Sequence, residues 1–176
     1  MSDLRRRRHL RHRVEDRLAE LDVPDPFDVA VLCERLAAKR GQPIRLRPQP
    51  MGLGPCGLWV EVAGADYIVF ERDTTPLHQE QIVLHEVGHL LANHTPASIS
   101  DQESLAMLLP DLDPDMVRRV MGRTGYTSQE EEEAELLASL VLQRTGRADG
   151  NHSRPASPQA SHAIGVLGTV LGDRPR

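Results

Sequence analysis

The stretch that most restricts how this chain can fold runs from Thr75 to Leu91, TPLHQEQIVLHEVGHLL. Thr75 can cap a helix, and Pro76 suits the first helical position because it has no N–H to leave unpaired. Leu84, Val87, Gly88 and Leu91 then recur at i, i+3, i+4 and i+7, with Val83 and Leu90 beside them. One broad face of this helix is apolar and has to be covered. Within the same helix His85, Glu86 and His89 form the pattern H-E-x-x-H.

The segments on either side supply the cover. Upstream, PIRLRP is short and alternating, while CGLWVEV and DYIVFE are rich in β-branched and aromatic residues, with AGAD able to turn between them. This pattern predicts a hairpin over residues 57 to 71 within a small antiparallel sheet, with Trp59 and Phe70 in its core. Further upstream, residues 2 to 21 read as a helix through Val14, Leu18 and Leu21, and Leu4 and Leu10 fit more loosely. Residues 22 to 27 break it, and Phe27 to Arg40 forms a second helix stopped by Gly41. Downstream, SQEEEEAELLASLVLQR predicts a helix with Ala134, Leu137, Ala138 and Val141 on one face. Residues 95 to 127, with Pro96, Pro110 and Pro114, are expected to hold two short helices.

The resulting expectation is an α+β fold: a small antiparallel sheet packed on a helical bundle that carries the H-E-x-x-H helix. Residues 1–26 form a basic N-terminal helical segment and residues 27–145 the main domain. The linker-like composition of residues 146–176 predicts a disordered tail. AIGVLGTVLG near the C-terminus is too short to span a bilayer.

A histidine pair four apart on a helix puts the two Cβ atoms ~5–6 Å apart on one face, close enough to grip one ion. Zinc accepts imidazole nitrogen, and Glu86, adjacent to the first ligand, stands where it can take a proton from water activated by the metal. A shuffled chain of this composition would hold the motif roughly 0.03 times, so surface or core histidines are the weaker reading. His94 lies nine residues after His85, half a turn out of phase on a continuous helix. It reads as a helix-end residue favoured by the dipole. His78 shares the face but sits about 10 Å away by helical rise, too far for the same ion.

A catalytic zinc needs a third protein ligand. On a helical wheel, Glu130 falls near the centre of the apolar face of the last helix. Glu131 and Glu133 fall about 80° to either side, and Glu132 points away. Periodicity therefore leaves three candidates. Each also has an ordinary reading: Thr127 with Glu130, or Ser128 with Glu131, forms a capping box, and the acidic run suits a helix start. Tyr126, His78 and Tyr67 are candidate oxyanion partners, each more simply read as structural.

Composition narrows the remaining classes. With 21 basic and 26 acidic residues the net charge is −5, which gives no general attraction to nucleic acid or membrane. The arginines at 5–8, 11 and 13 are the exception. Phosphate contacts there would be steeply salt-dependent, but the expected role is a solvated helix and no nucleic-acid partner. Lys39 is the only lysine, and this arginine bias points to a GC-rich bacterial genome. Two cysteines make no disulfide framework, no apolar stretch reaches ~20 residues, and no apolar run follows the basic N-terminus. A cytoplasmic location with no membrane association is expected.

HEVGHLL after a strand hairpin, followed by a Glu131-Glu132-Glu133-Ala134-Glu135 helix ending in LLASLVL, resembles the ImmA/IrrE family of zinc metallopeptidases, over roughly residues 27 to 145. The resemblance implies a zincin-like fold, Zn2+ as cofactor, His85, His89 and Glu131 as metal ligands, and Glu86 as the catalytic base. The family's third ligand heads an E-x-x-A-N/D pattern. Glu135 stands where Asn or Asp is usual, one turn on, in a position to orient a ligand histidine. The function expected is a zinc endopeptidase acting on a regulatory protein; by resemblance alone, the partner is a helix-turn-helix regulator. The alternative is a non-catalytic, metal-containing regulatory or toxin–antitoxin interaction module.

Overall fold

The computed structural model describes residues 2–51, 56–62, 64–95 and 126–147. Among these are four helices and a three-stranded sheet: α1 (Ser2–Ala19), α2 (Val29–Arg40), β1 (Ile44–Gln49), β2 (Gly57–Val62), β3 (Ala65–Glu71), α3 (Pro76–Leu91) and α4 (Ser128–Arg144). The α+β class expected from the sequence is present. The two short helices expected over 95–127 fall mostly on residues 96–125, outside the described residues. Most of the expected tail, 148–176, does too.

Local chemistry sets most boundaries. Asp28 caps α2 by accepting from the N–H groups of Ala30 (2.8 Å) and Val31 (3.1 Å). Gly41, at φ +70°, ends the helix in the left-handed conformation that a side chain resists. Thr75 caps α3 with Pro76 in its first turn. Thr127 and Glu130 form a reciprocal capping box on α4, Glu130 accepting from the Thr127 N–H at 2.7 Å and donating its own N–H to the Thr127 hydroxyl at 3.3 Å. That satisfies two of the donors every helix start leaves over.

The hairpin β2–β3 is antiparallel, as its sequence predicts, with Leu58 opposite Val69 and Val60 opposite Tyr67. The sheet as a whole is not antiparallel. β1 lies on the other side of β3 and runs parallel to it, with Leu46 opposite Ile68, so the order is β1-β3-β2 and the sheet is mixed. The physical reason is that β1 is not joined to β3 by a turn. Its direction follows from the short passage out of α2 through Gly41 and from the need to cover β3. Residues Ala65 to Phe70 are all buried, the profile of a strand flanked on both sides.

α3 is sandwiched. On one side Ile82, Val83, Val87 and Leu90 meet Cys33 and Leu36 of α2 and Trp59, Ile68 and Phe70 of the sheet. On the other, Leu84 joins Leu32 of α2, Val14 and Leu18 of α1, and Leu137 and Val141 of α4. The N-terminal helix thus contributes Leu10, Val14 and Leu18 to buried positions. No helix among the described residues is long and apolar enough to cross a membrane.

Candidate metal centre

Gly88 determines how closely α4 can approach α3. A Cβ built on it would lie 2.8 Å from Ala134 Cα and 2.9 Å from the Ala134 carbonyl oxygen. Only glycine lets the two backbones touch there, which accounts for a helix-weakening residue inside the motif. The contact brings the acidic start of α4 against the histidine face of α3.

His85 Nε2 and His89 Nε2 lie 3.0 Å apart. The Oε2 atom of Glu131 is 3.2 Å from the first and 3.9 Å from the second. Ligand atoms at ~2.0–2.1 Å around a tetrahedral zinc stand roughly 3.3 Å from one another. Two imidazole nitrogens and one carboxylate oxygen at these spacings match that triangle, and the donor set of this group can hold a metal ion. The Nδ1 atoms also have partners. His85 Nδ1 faces Glu135 Oε2 at 3.6 Å. His89 Nδ1 lies 3.0 Å from His94 Nδ1. Both rings therefore present Nε2 inward, with Nδ1 turned to a second group that fixes the ring.

The three glutamates left open by periodicity separate cleanly. Glu130 is engaged in the capping box. Glu133 is buried and held by Arg13 and Arg17. Glu131 is the one that reaches both imidazoles. Glu132 points outward and pairs with Arg6.

Electrostatics favour a cation here. Burial lowers the pKa of His85, but its contacts with Glu131 and Glu135, and the charge of Glu86, outweigh that and raise it to about 10. The same contact lowers Glu135. His89 is pushed down, by burial first and then by His85 and His94. A positive charge at His85 thus answers the surrounding carboxylates, and a divalent cation on the Nε2 atoms would displace that proton and take its place.

Glu86 is buried. Burial pushes its carboxyl up to about 7, Glu131 adds to the rise, and His85 and the Trp59 backbone oppose it. Its Oε2 atom is buried with no hydrogen-bond partner among the described residues, a costly arrangement that a reacting group or a bound water would relieve. Strand β2 passes directly over it: a Cβ on Gly57 would come within 2.8 Å of Glu86 Oε1 and 2.4 Å of Ile82 Cγ2. On the far side of β2 no strand pairs with it among the described residues. Because the Glu71 N–H bonds to the Cys56 carbonyl, the alternation of an antiparallel ladder turns the backbone groups of Gly57, Trp59 and Glu61 toward that open edge.

Compared with known proteins, the chain matches no family model, no curated protein and no solved structure.

Two further residues adjoin the ligand pair, His94 against expectation and Tyr126 as one of the named candidates. A continuous helix would place His94 half a turn out of phase with His85. α3 stops instead: Asn93 adopts φ +53°, the His94 N–H bonds back to the His89 carbonyl at 3.0 Å, and the ring returns onto His89. An Asn just past a helix end is a signal for such a reversal. Tyr126 stacks on the His89 ring, with centroids 3.5 Å apart and planes 16° apart. Among the oxyanion candidates it alone adjoins the histidine pair. His78 bonds to Thr74 in the first turn of α3, and Tyr67 is buried in β3 under Arg45.

Proposed function

We propose that the protein is a zinc-dependent endopeptidase that hydrolyses peptide bonds of a regulatory protein, as the resemblance to the ImmA/IrrE family implies. The observation that carries this reading is the convergence of His85 Nε2, His89 Nε2 and Glu131 Oε2 beside the buried Glu86 carboxyl. Zinc, when bound, would supply a Lewis acid that polarises a carbonyl and makes water more acidic. His85, His89 and Glu131 would hold it, and Glu135 and His94 would orient the two rings.

Glu86 would be the general base. Its carboxyl, raised to about 7, is matched to proton transfer near neutrality, taking a proton from water and delivering it to the leaving amine. The open edge of β2 would bind an extended stretch of substrate by strand addition, using the outward backbone groups of Gly57 and Glu61. This puts the peptide against the strand that crosses Glu86. A helix-turn-helix regulator as the substrate belongs to the same proposal and rests on the resemblance.

The test is cleavage of a proteome-derived peptide library by purified protein loaded with zinc, read by mass spectrometry. Wild type should cut, chelator should stop it, and Glu86→Gln should be inactive while retaining its zinc. If Glu86→Gln cuts as well as wild type, Glu86 is not the base. If zinc binds but neither protein cuts any peptide, the non-catalytic interaction module is the better reading.

A further inference from the structure

Beyond the ligands lies a line of polar groups, with one longer step between His94 and Glu133, that ends on the N-terminal helix. His94 Nδ1 meets His89 Nδ1 at 3.0 Å, and His94 Nε2 lies 3.8 Å from Glu133 Oε2. Glu133 Oε2 accepts from Arg13 Nη2 at 3.0 Å, and Glu133 Oε1 accepts from Arg17 Nη1. Arg17 Nη2 also reaches the Ala92 carbonyl, 3.5 Å away at the end of α3.

The proton inventory of this chain has one consistent solution. A metal on His89 Nε2 leaves the proton of that ring on Nδ1, where it donates to His94 Nδ1. His94 then carries its own proton on Nε2, pointing toward the Glu133 carboxylate. The carboxylate is buried and paired with two guanidinium groups, the arrangement a buried charge requires. The result is a carboxylate–histidine–histidine–metal line, one imidazole longer than the carboxylate–histidine pairs that commonly fix metal ligands.

Position on α1 supports a built connection. Arg13 and Arg17 are one turn apart and share a side of the helix with Leu10, Val14 and Leu18, which are buried. A side used for packing thus carries two cations, both spent on Glu133. Arg6, nearer the N-terminus, pairs instead with the exposed Glu132.

We propose that His94 is a positioning residue for His89, and that Glu133 with Arg13 and Arg17 holds it in place, so that the N-terminal helix sets the affinity of the metal centre. This rests on His85, His89 and Glu131 being metal ligands. It assigns to α1 a task at the site that its arginine-rich sequence does not announce.

The test measures zinc affinity by competition with a chromophoric chelator, and the visible spectrum of the cobalt-substituted protein, on the full chain. His94→Phe, which keeps a flat ring but no hydrogen bond, should weaken zinc binding by roughly 10–100-fold and shift the cobalt spectrum. His94→Gln, which can still accept from His89, should recover part of the loss. Arg17→Ala should weaken binding in the wild-type background and have no further effect in the His94→Phe background, because both act through one line. Unchanged affinity in His94→Phe overturns the proposal. So does a loss that follows a lowered melting temperature of chelator-treated protein and is not recovered by Gln. Failure of the wild type to bind zinc sinks the metal reading itself, which tells the two failures apart.

Discussion

Gly88 and Ala134 are in backbone contact: a Cβ on residue 88 would sit 2.8 Å from the Ala134 Cα. The obstacle is main chain and cannot rotate away. Gly88→Ala would gain about 1 kcal/mol of helix propensity but lose about 1–3 kcal/mol to overpacking. We expect a lower melting temperature, and weaker zinc binding because Glu131 is carried away from the imidazole pair. A variant more stable than wild type with unchanged zinc affinity would show that the two helices can part without consequence.

The glutamates of α4 should respond differently to truncation. Glu131→Ala should abolish tight zinc binding, measured by metal analysis after dialysis. Glu130→Ala should keep the metal and cost about 1 kcal/mol or less of stability in urea unfolding, the usual scale for a lost helix cap. Zinc retained by Glu131→Ala and lost by Glu130→Ala would reverse the assignment.

Gly57 tests the link between strand β2 and the base. In Gly57→Ala the new methyl group meets the side chains of Ile82 and Glu86. These can shift, so the fold should survive, but Glu86 would move. Peptide cleavage should fall at least tenfold with zinc content intact. Full activity would separate the strand from the chemistry.

The two cysteines should differ in reactivity. Cys33 is buried in the contact between α2, α3 and the sheet, and Cys56 is exposed. Burial first, then the charges of Asp28 and Glu34, push the Cys33 thiol from 9.0 up to about 12. Native protein treated with iodoacetamide at pH 8 should be modified at Cys56 alone, as mass spectrometry would reveal. The sign for stability follows. Between pH 9 and 12 the unfolded chain loses the thiol proton while the folded protein keeps it, so this contribution to stability is full below pH 9 and falls as pH rises through that window. Cys33→Ala should flatten the decline in urea unfolding. An equally steep decline would show that another group governs it.

The sequence by itself determined the elements whose causes are local. Gly41, Thr75 and Pro76 act within a few residues, and the β-branched and aromatic runs of β2 and β3 join across a short turn. The H-E-x-x-H spacing alone places two imidazoles on one helical face. What lay beyond reach were choices made by distant partners. The direction of β1 depends on how β3 is covered, and no turn encodes it. Glu130, Glu131 and Glu133 have the same chemistry and differ by steps of 100° around one helix. They are told apart by Thr127, by the histidines of α3, and by two arginines 116 and 120 residues earlier in the chain. His94 joins His89 because Asn93 reverses the backbone, which a wheel drawn on a continuous helix cannot represent. Periodicity reports which way a side chain points, and only packing decides what it meets there.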